Sequence, residues 1–364
     1  MTSNPSTNDL IRLKCDLYSR GISIGEKEER EITQGGRIPL IIRKGISEGI
    51  ELRLSESIFV NAPVNPHWSM APFQLEIKDD GIYSISCFND IKVPIEVLPR
   101  PQYYQMLSPS GIPLMRVAQT FTDRVSVSPG CTCWLRRCKH ECRFCYLGSR
   151  DFGERVFSHD DIVFAVGKAM VDPVLPARHI LISGGTIGFE REDFCYFISL
   201  VHRLKQSFGM RIYLMTCPPR ELVILEQLKE AGLDEIAMNI EFYGRNASEK
   251  FTPGKALLIG KDKYIDALAK AVEVFGKHNV RSILITGVEP TEITLEGVRV
   301  LSSLGVTPIL SPFRPVHGIP MEKHPVISGD EFYSILTRAD KIARDNGSFL
   351  GPPCKACRNN TLNL

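Results

Sequence analysis

The hydrophobic and polar positions of this chain follow two different patterns, which change near Met115. Before that point, short apolar or alternating runs such as IPLIIR, IELRLS, FQLEIK and VPIEVL are separated by turn-like KDDG and FND. Short runs of this kind, bounded by turn residues, are typical of β-strands. The pattern before Met115 therefore predicts a small β-rich domain with antiparallel strands.

After Cys145, apolar runs of strand length alternate with amphipathic segments of helix length. HILIS precedes REDFCYFISLVHRLKQ, RIYLMT precedes PRELVILEQLKEAG, and DEIAMNI, SILITG and TPILS continue the series. Parallel strands need crossover connections of this length, and the helices cover both faces of the sheet. Together with RVSVS, which precedes a cysteine-rich loop, six strands are counted. The pattern predicts a partial (β/α)6 barrel, with an open doubly wound sheet as the alternative.

Three segments follow from these patterns. Residues 1–115 are predicted as the β-rich domain, 116–320 as the barrel, and 321–364 as a final helix followed by a cysteine-containing tail. The linker between the first two is expected in LSPSGIPL, because Ser, Pro and Gly favour turns over regular structure.

Composition narrows the class of protein. The 364 residues carry a formal net charge of only +2, so charge indicates neither nucleic acid nor an anionic membrane as a partner. The polar start MTSNPSTNDL and the lack of a long apolar run predict a cytoplasmic protein without a membrane span. An odd count of eleven cysteines, several of them clustered, favours metal binding in a reducing compartment over a disulfide framework.

The cluster itself is CTCWLRRCKHECRFCYLG, in which Cys138, Cys142 and Cys145 form C-x3-C-x2-C with Phe144 before the last thiol. Three thiolates on an iron–sulfur cubane leave one iron open, where a substrate or cofactor can bind. Because the loop follows the first barrel strand, it is expected at the carboxyl ends of the strands, where barrel chemistry is found. The alternative is a zinc knuckle completed by His140, Cys131 or Cys133.

This spacing, with an aromatic residue before the third cysteine, resembles the signature of the radical S-adenosylmethionine (SAM) superfamily. The resemblance implies a [4Fe–4S] cluster on the three cysteines, whose open iron chelates the amino and carboxylate groups of SAM. Reduction of SAM by one electron would give a 5′-deoxyadenosyl radical that abstracts hydrogen from a substrate. An electron donor such as flavodoxin or ferredoxin is then required. A subgroup of the superfamily has a longer first spacing, which leaves Cys133 open as a replacement for Cys138.

By the same resemblance, several strand ends should contact the cofactor. The segment HILISGGT would offer main-chain groups to the methionine amine, and ILSPFRP would bind the methionine carboxylate. The segment AGLDEIAMNIEFY would hold the ribose hydroxyls or the substrate, and SILITGVEP would shape the adenine site. The residues concerned are Ser183, Gly184, Gly185, Thr186, Asn239, Glu241, Gly287, Glu289 and Arg314. Asn239 and Glu241 are two apart and so point to the same face of a strand.

The tail GPPCKAC adds Cys354 and Cys357 as C-x2-C. With Cys131 and Cys133 they make four thiols, which suffice for an auxiliary iron–sulfur cluster or a zinc ion. Spacing alone leaves these two options and a free pair of thiols open.

The resemblance is to the biotin-synthase-like branch, with SGIPLMRVAQ resembling one of its subgroups. It implies a radical enzyme that acts on a small molecule inside a closed barrel. Two alternatives stay open: a radical transferase that modifies RNA or protein, and a non-enzymatic zinc-binding protein. The near-neutral charge counts against nucleic acid as the substrate.

Overall fold

The computed structural model describes residues 5–28, 49–64, 72–77, 83–86, 92–130, 133–148 and 156–363. Within this part of the chain there are two sheets, one of six strands and one of seven. No helix in these ranges is both long and apolar enough to cross a bilayer.

The larger sheet contains strands β7 to β13 in chain order. Its strands are β7 (Ala118–Phe121), β8 (Arg124–Val127), β9 (His179–Ile182), β10 (Ile212–Thr216), β11 (Glu235–Met238), β12 (Val280–Thr286) and β13 (Thr307–Pro312). Strands β8 to β13 are all parallel, and β7 pairs antiparallel with β8 at one edge. The six predicted strands are therefore present, and β7 is an addition that the sequence pattern did not indicate.

The order of the strands confirms the partial (β/α)6 barrel. In a doubly wound sheet the strand order reverses at a switch point, whereas here each strand lies next to its predecessor throughout. The alternative architecture is thus wrong. Each parallel strand is buried on both faces, as expected for strands covered by crossover helices.

The helices of the barrel are amphipathic, with the buried side chains three and four residues apart, as in Phe194, Phe197, Leu200, Val201 and Leu204. The helices are α2 (Leu114–Val117), α3 (Trp134–Arg137), α4 (His159–Met170), α5 (Arg191–Phe208), α6 (Ile224–Glu230), α7 (Arg245–Phe251), α8 (Lys261–Phe275), α9 (Thr291–Ser303) and α10 (Gly329–Asp345). Short 3-10 helices cover Gln102–Gln105, Tyr146–Gly148 and Ala356–Asn360, and a π-helix covers Lys255–Ile259.

The smaller sheet lies in the amino-terminal part and has the order β1-β4-β5-β6-β2-β3. Its strands are β1 (Ser23–Ile24), β2 (Ile50–Arg53), β3 (Phe59–Ala62), β4 (Gln74–Ile77), β5 (Tyr83–Ser86) and β6 (Lys92–Val97). All neighbours are antiparallel except β1 and β4. This confirms the β-rich first part, while the run IPLIIR lies outside the described residues.

A helix that the sequence pattern did not indicate, α1 (Thr7–Arg20), precedes this sheet. Its start is fixed by a capping box between Ser6 and Asp9. It packs against α10, and Arg12 forms an ion pair with Asp330 at 3.3 Å. Since the first segment packs on the last, the division at residues 115 and 320 stays a prediction.

The C-terminal tail after α10 connects the two sheets. Gly351 N–H donates to Pro308 O at 2.9 Å and Leu362 N–H donates to Leu310 O at 2.8 Å, so the tail meets strand β13 twice. From the amino-terminal part, Tyr18 donates to Asn359 O at 2.8 Å. The tail is therefore held between the edge of the barrel and the first domain.

Candidate functional site

A cavity of about 270 Å³ opens inside the barrel toward the carboxyl ends of the strands. Alternate strand residues face it, as with Ser126 of β8, Leu181 of β9 and Met215 of β10. The remaining walls come from the segments that follow the strands and from the cysteine-rich loop. The site is thus located where barrel enzymes carry their chemistry.

Three cysteines of the loop, Cys133, Cys142 and Cys145, line this cavity. The backbone holds them there: Trp134 N–H donates to Thr186 O at 2.6 Å, and Cys145 N–H donates to Cys142 O at 3.0 Å. On the outer side of the loop, Arg136 donates to the carbonyl oxygen of Leu147 at 2.8 Å. Phe144, as expected, also lines the cavity.

Cys138 lies elsewhere. It follows the last turn of α3, where its N–H donates to Trp134 O at 3.0 Å, and its side chain is half-buried. It is not among the residues that line the cavity. Of the two candidates for the first ligand, Cys133 therefore lines the cavity, whereas Cys138, after the turn of α3, does not. Cys131 lies outside the described residues.

Burial controls the protonation of two of the cavity thiols, Cys142 and Cys145. It raises the pKa of Cys142 well above its ordinary value and the pKa of Cys145 to about 12. Buried thiols of this kind become thiolates when a metal replaces their protons. A fourth thiol on the cavity wall, Cys217, is engaged by Thr186 Oγ1 at 3.1 Å and by the Tyr264 hydroxyl at 3.4 Å. Three thiols remain, and this donor set fits an iron–sulfur cubane with one open iron.

A buried ion pair, which the sequence pattern did not indicate, lies beside these thiols. Lys255 Nζ contacts Glu241 Oε1 at 2.7 Å and donates to Asn239 O at 2.8 Å. Burial alone would lower the pKa of Lys255, but Glu241 and the thiols of Cys142 and Cys217 outweigh it and raise that pKa above its usual value. Lys255 is therefore a charged ammonium on the cavity wall.

The segment after β9 lines the cavity with Ser183, Gly184, Gly185 and Thr186. Gly184 has φ +147°, and a Cβ there would lie 2.7 Å from Ser128 Oγ. A side chain would therefore force the segment away from the loop that follows β8. Glycine at this position keeps the backbone close to the cysteine wall.

The predicted pair after β11 also enters the cavity: both Asn239 and Glu241 line it. The Asn239 Oδ1 accepts a hydrogen bond from Ile283 N–H at 3.2 Å, which fixes the amide against β12. Glu241 has a left-handed backbone, φ +68°. Strain of this kind in a non-glycine residue is common at functional sites.

Two predicted residues, Gly287 and Glu289, are not among those that line the cavity. The carboxylate of Glu289 accepts hydrogen bonds from Tyr243 N–H at 3.0 Å and Gly244 N–H at 2.8 Å, and so holds the segment between β11 and α7. Gly287, at φ +92°, packs closely against Ile327. In this structure both residues hold the segments around them in position, and their contact with the adenine of SAM stays a prediction.

Arg314, which follows β13, lines the cavity and is 5% exposed. Its Nη1 donates to Asn61 O of β3 at 2.8 Å, and its guanidinium lies over the ring of Tyr18 at 5.1 Å. Burial lowers the pKa of Arg314 to about 10. No carboxylate within the described ranges neutralises this cation.

The second predicted metal site requires a correction. Cys354 and Cys357 lie beside Asp123 and His179, which stand at the amino ends of β8 and β9. Cys133 lies beyond the carboxyl end of β8 and lines the cavity instead. Because the length of a strand separates the two ends of the barrel, Cys133 cannot share a metal with the tail cysteines. Asp123 and His179 were missed, since spacing along the chain gives no sign that the tail returns to them.

Comparison with known proteins gives a family match for most of the barrel. Residues 133–298 match the Radical SAM superfamily. The chain is 29% identical over 127 residues to bacteriochlorophyllide c C-7(1)-hydroxylase of Chlorobaculum limnaeum, covering 35% of this chain and 31% of that protein. It is 24% identical over 158 residues to a probable GTP 3′,8-cyclase of Pyrococcus horikoshii, covering 43% and 47%. The chain thus spans less than half the length of either relative.

Among solved structures, the fold is similar to that of HydG, a maturase of the [FeFe]-hydrogenase, with a TM-score of 0.51 and 15% identity. The match covers 66% of this chain and 55% of that chain. At this identity the likeness concerns the fold alone. None of these matches singles out the biotin-synthase-like branch.

Proposed function

We propose that this chain is a radical SAM enzyme that cleaves SAM reductively to modify a small molecule, since residues 133–298 match the model of that superfamily. A cluster held by these cysteines would supply the electron for reductive cleavage of SAM, and SAM would supply a 5′-deoxyadenosyl group for hydrogen abstraction. The observation that carries the proposal is the set of three half-buried cysteines, Cys133, Cys142 and Cys145, that line the cavity at the carboxyl ends of the barrel strands.

In this proposal the cluster ligands are Cys133, Cys142 and Cys145, with the spacing C-x8-C-x2-C. Cys133 takes the place of the expected Cys138 because it lines the cavity together with the other two thiols. Cys138 remains the competing first ligand, and the two assignments differ in which substitution removes the cluster.

Two cations of the cavity, Lys255 and Arg314, could balance the negative charges of the cluster and of SAM in this proposal. A cubane on three thiolates is an anion, and Lys255 lies close enough to Cys142 to act on its charge. Arg314 is buried on the cavity wall without a carboxylate among the described residues. A guanidinium binds a carboxylate through two parallel hydrogen bonds. We therefore assign Arg314 to the methionine carboxylate of SAM.

The other cavity residues complete the SAM site in this proposal. Backbone groups of the segment Ser183 to Thr186 are assigned to the methionine amine, since Gly184 lets the chain approach closely. Asn239 and Glu241 are assigned to the ribose hydroxyls or the substrate, because both line the cavity. An electron donor such as flavodoxin or ferredoxin would deliver the electron.

The test is direct. The full chain is loaded anaerobically with iron and sulfide, reduced with dithionite and given SAM, and 5′-deoxyadenosine is measured. We expect a brown protein with about four cluster irons per chain that forms 5′-deoxyadenosine, and a Cys142→Ala variant that forms none. A protein that stays colourless, or one that holds the cluster and leaves SAM intact, would contradict the proposal.

A further inference from the structure

We propose that Asp123, His179, Cys354 and Cys357 bind one Zn²⁺ ion at the amino-terminal face of the barrel, and that this ion fastens the C-terminal tail across that face. The proposal is independent of the radical chemistry, because its four residues lie at the opposite end of the strands from the cavity thiols.

The four donor atoms are already arranged around one point. One ligand atom from each residue lies within 4.8 Å of all the others. His179 Nε2 is 3.0 Å from Cys357 Sγ, and Cys354 Sγ is 3.6 Å from Asp123 Oδ2. Tetrahedral zinc with bonds of about 2.0–2.3 Å places its ligands roughly 3.3–3.8 Å apart. The donors therefore need only small shifts to surround the ion.

The kinds of donor favour zinc over other metals. Two thiolates, an imidazole and a carboxylate are all zinc ligands, and four protein ligands make a closed, structural site. Magnesium and calcium prefer oxygen donors throughout. An iron–sulfur cubane spreads its ligands over four separate irons, so its donor atoms lie farther apart than those around a single ion. One ion bound by four side chains fits the compact arrangement best.

The local backbone sets this arrangement. Asp123 lies in the turn between β7 and β8, and its carbonyl accepts a hydrogen bond from Arg178 N–H at 2.8 Å, which brings His179 alongside. Cys354 lies just before a 3-10 helix (Ala356–Asn360) and Cys357 lies in its first turn, and both thiols approach Asp123 Oδ1, at 3.7 Å and 3.8 Å. Cys357 is only 4% exposed, so its thiol points into the fold rather than into solvent.

The charge of the site is also balanced. Two thiolates and one carboxylate exceed the charge of Zn²⁺ by one. The guanidinium of Arg124, which is 9% exposed, acts on the charges of both Cys357 and His179. A buried anionic site with a neighbouring cation is less costly than one without.

Zinc at this position would pin the middle of the tail. Gly351 and Leu362 bond to β13, whereas Cys354 and Cys357 lie at β8 and β9. The segment between them therefore crosses the amino-terminal opening of the barrel. It also contacts the first domain, since Lys14 Nζ donates to Arg358 O at 2.8 Å. Loss of the ion would loosen the connection between the two sheets.

The experiment measures metal on the full chain purified without added iron. We expect about one zinc per chain by mass spectrometry. The Cys354→Ser, Cys357→Ser double variant should lose it, while Cys195→Ser, which changes an exposed thiol on α5, should keep it. Removal of all three cavity thiols, Cys133, Cys142 and Cys145, should also leave the zinc in place.

A second measurement does not depend on how the variants fold. Apo protein titrated with Co²⁺ should show thiolate-to-cobalt charge-transfer bands and tetrahedral d–d bands at one equivalent, and zinc should displace them. Protein without zinc and without these bands would overturn the proposal. So would zinc that survives in the double variant, or iron with sulfide bound at the tail cysteines.

Discussion

At the scale of single residues, the charge of Lys255 is the feature with the most specific consequence for the proposed cluster. We expect Lys255→Met to make the cluster's reduction potential more negative, because a nearby cation favours uptake of an electron. An interaction of about 1–2 kcal/mol at an effective dielectric constant near 20 corresponds to roughly 50–100 mV for one electron. Electron paramagnetic resonance during a redox titration measures the shift.

The matched control is Lys261→Met, since Lys261 is exposed and its Nζ lies over the ring of Tyr243 at 4.3 Å. This control should leave the potential unchanged. Equal shifts in both variants, or none in Lys255→Met, would show that the buried cation does not act on the cluster.

Arg314 permits a second test at this scale. We expect Arg314→Lys to weaken SAM binding about tenfold, or about 1.4 kcal/mol, because lysine keeps the charge and loses the planar fork that matches a carboxylate. Anaerobic calorimetry on the cluster-loaded protein measures the dissociation constant. Asn61→Ala, which removes one acceptor of the same guanidinium, should bind SAM nearly as the unaltered protein does. An unchanged constant in Arg314→Lys would remove Arg314 from the SAM site.

Some residues of the candidate site could be predicted from the sequence and others could not, for physical reasons. Cys142, Cys145 and the residues after β9 and β11 line the cavity, and their placement there was predictable because a strand end fixes where its next residues lie. The first cluster ligand was not resolved, since a single turn of helix, α3, decides whether Cys133 or Cys138 faces the cavity. Lys255 was missed because it comes from a π-helix whose approach to the cavity depends on tertiary packing.

At the scale of elements, the carboxylate of Glu289 joins the segment after β11 to the start of α9 through Tyr243, Gly244 and Thr294. We expect Glu289→Ala to lower the free energy of unfolding by about 2–3 kcal/mol, because two backbone N–H groups lose a charged acceptor. Denaturant unfolding measures the loss.

Glu292→Ala is the control, because Glu292 is 75% exposed and pairs with Arg338 at the surface. Its loss should cost about 0–1 kcal/mol. Equal losses in the two variants would mean that Glu289 does not hold the segment.

The elements were largely predictable where burial imposes a pattern. Strands β8 to β13 appeared in the sequence as continuous apolar runs because both of their faces are covered. Strand β7 lies in AQTF, which carries only a short apolar signal, and it forms because the turn at Thr122 and Asp123 brings it back onto β8. Helix α1 was missed because its apolar face is buried against helix α10, which lies far away along the chain.

At the scale of the whole molecule, the first domain, the barrel and the tail depend on one another. Arg314 joins the cavity wall to β3, and the tail joins β13 to α1. These contacts link segments about 250 to 350 residues apart. Such long-range contacts leave no periodic trace in the sequence, which is why the separate segments were predictable and their connections were not.

The central claim is that the cavity thiols, with Cys133 as the first ligand, hold a cluster that cleaves SAM. The most direct measurement compares 5′-deoxyadenosine formation and iron content in the unaltered protein, Cys138→Ala and Cys133→Ala after identical anaerobic loading. The account requires product from the first two and neither product nor a full cluster in Cys133→Ala. Product from Cys133→Ala together with its loss in Cys138→Ala would contradict the assigned ligand, and no product from the unaltered protein would contradict the function.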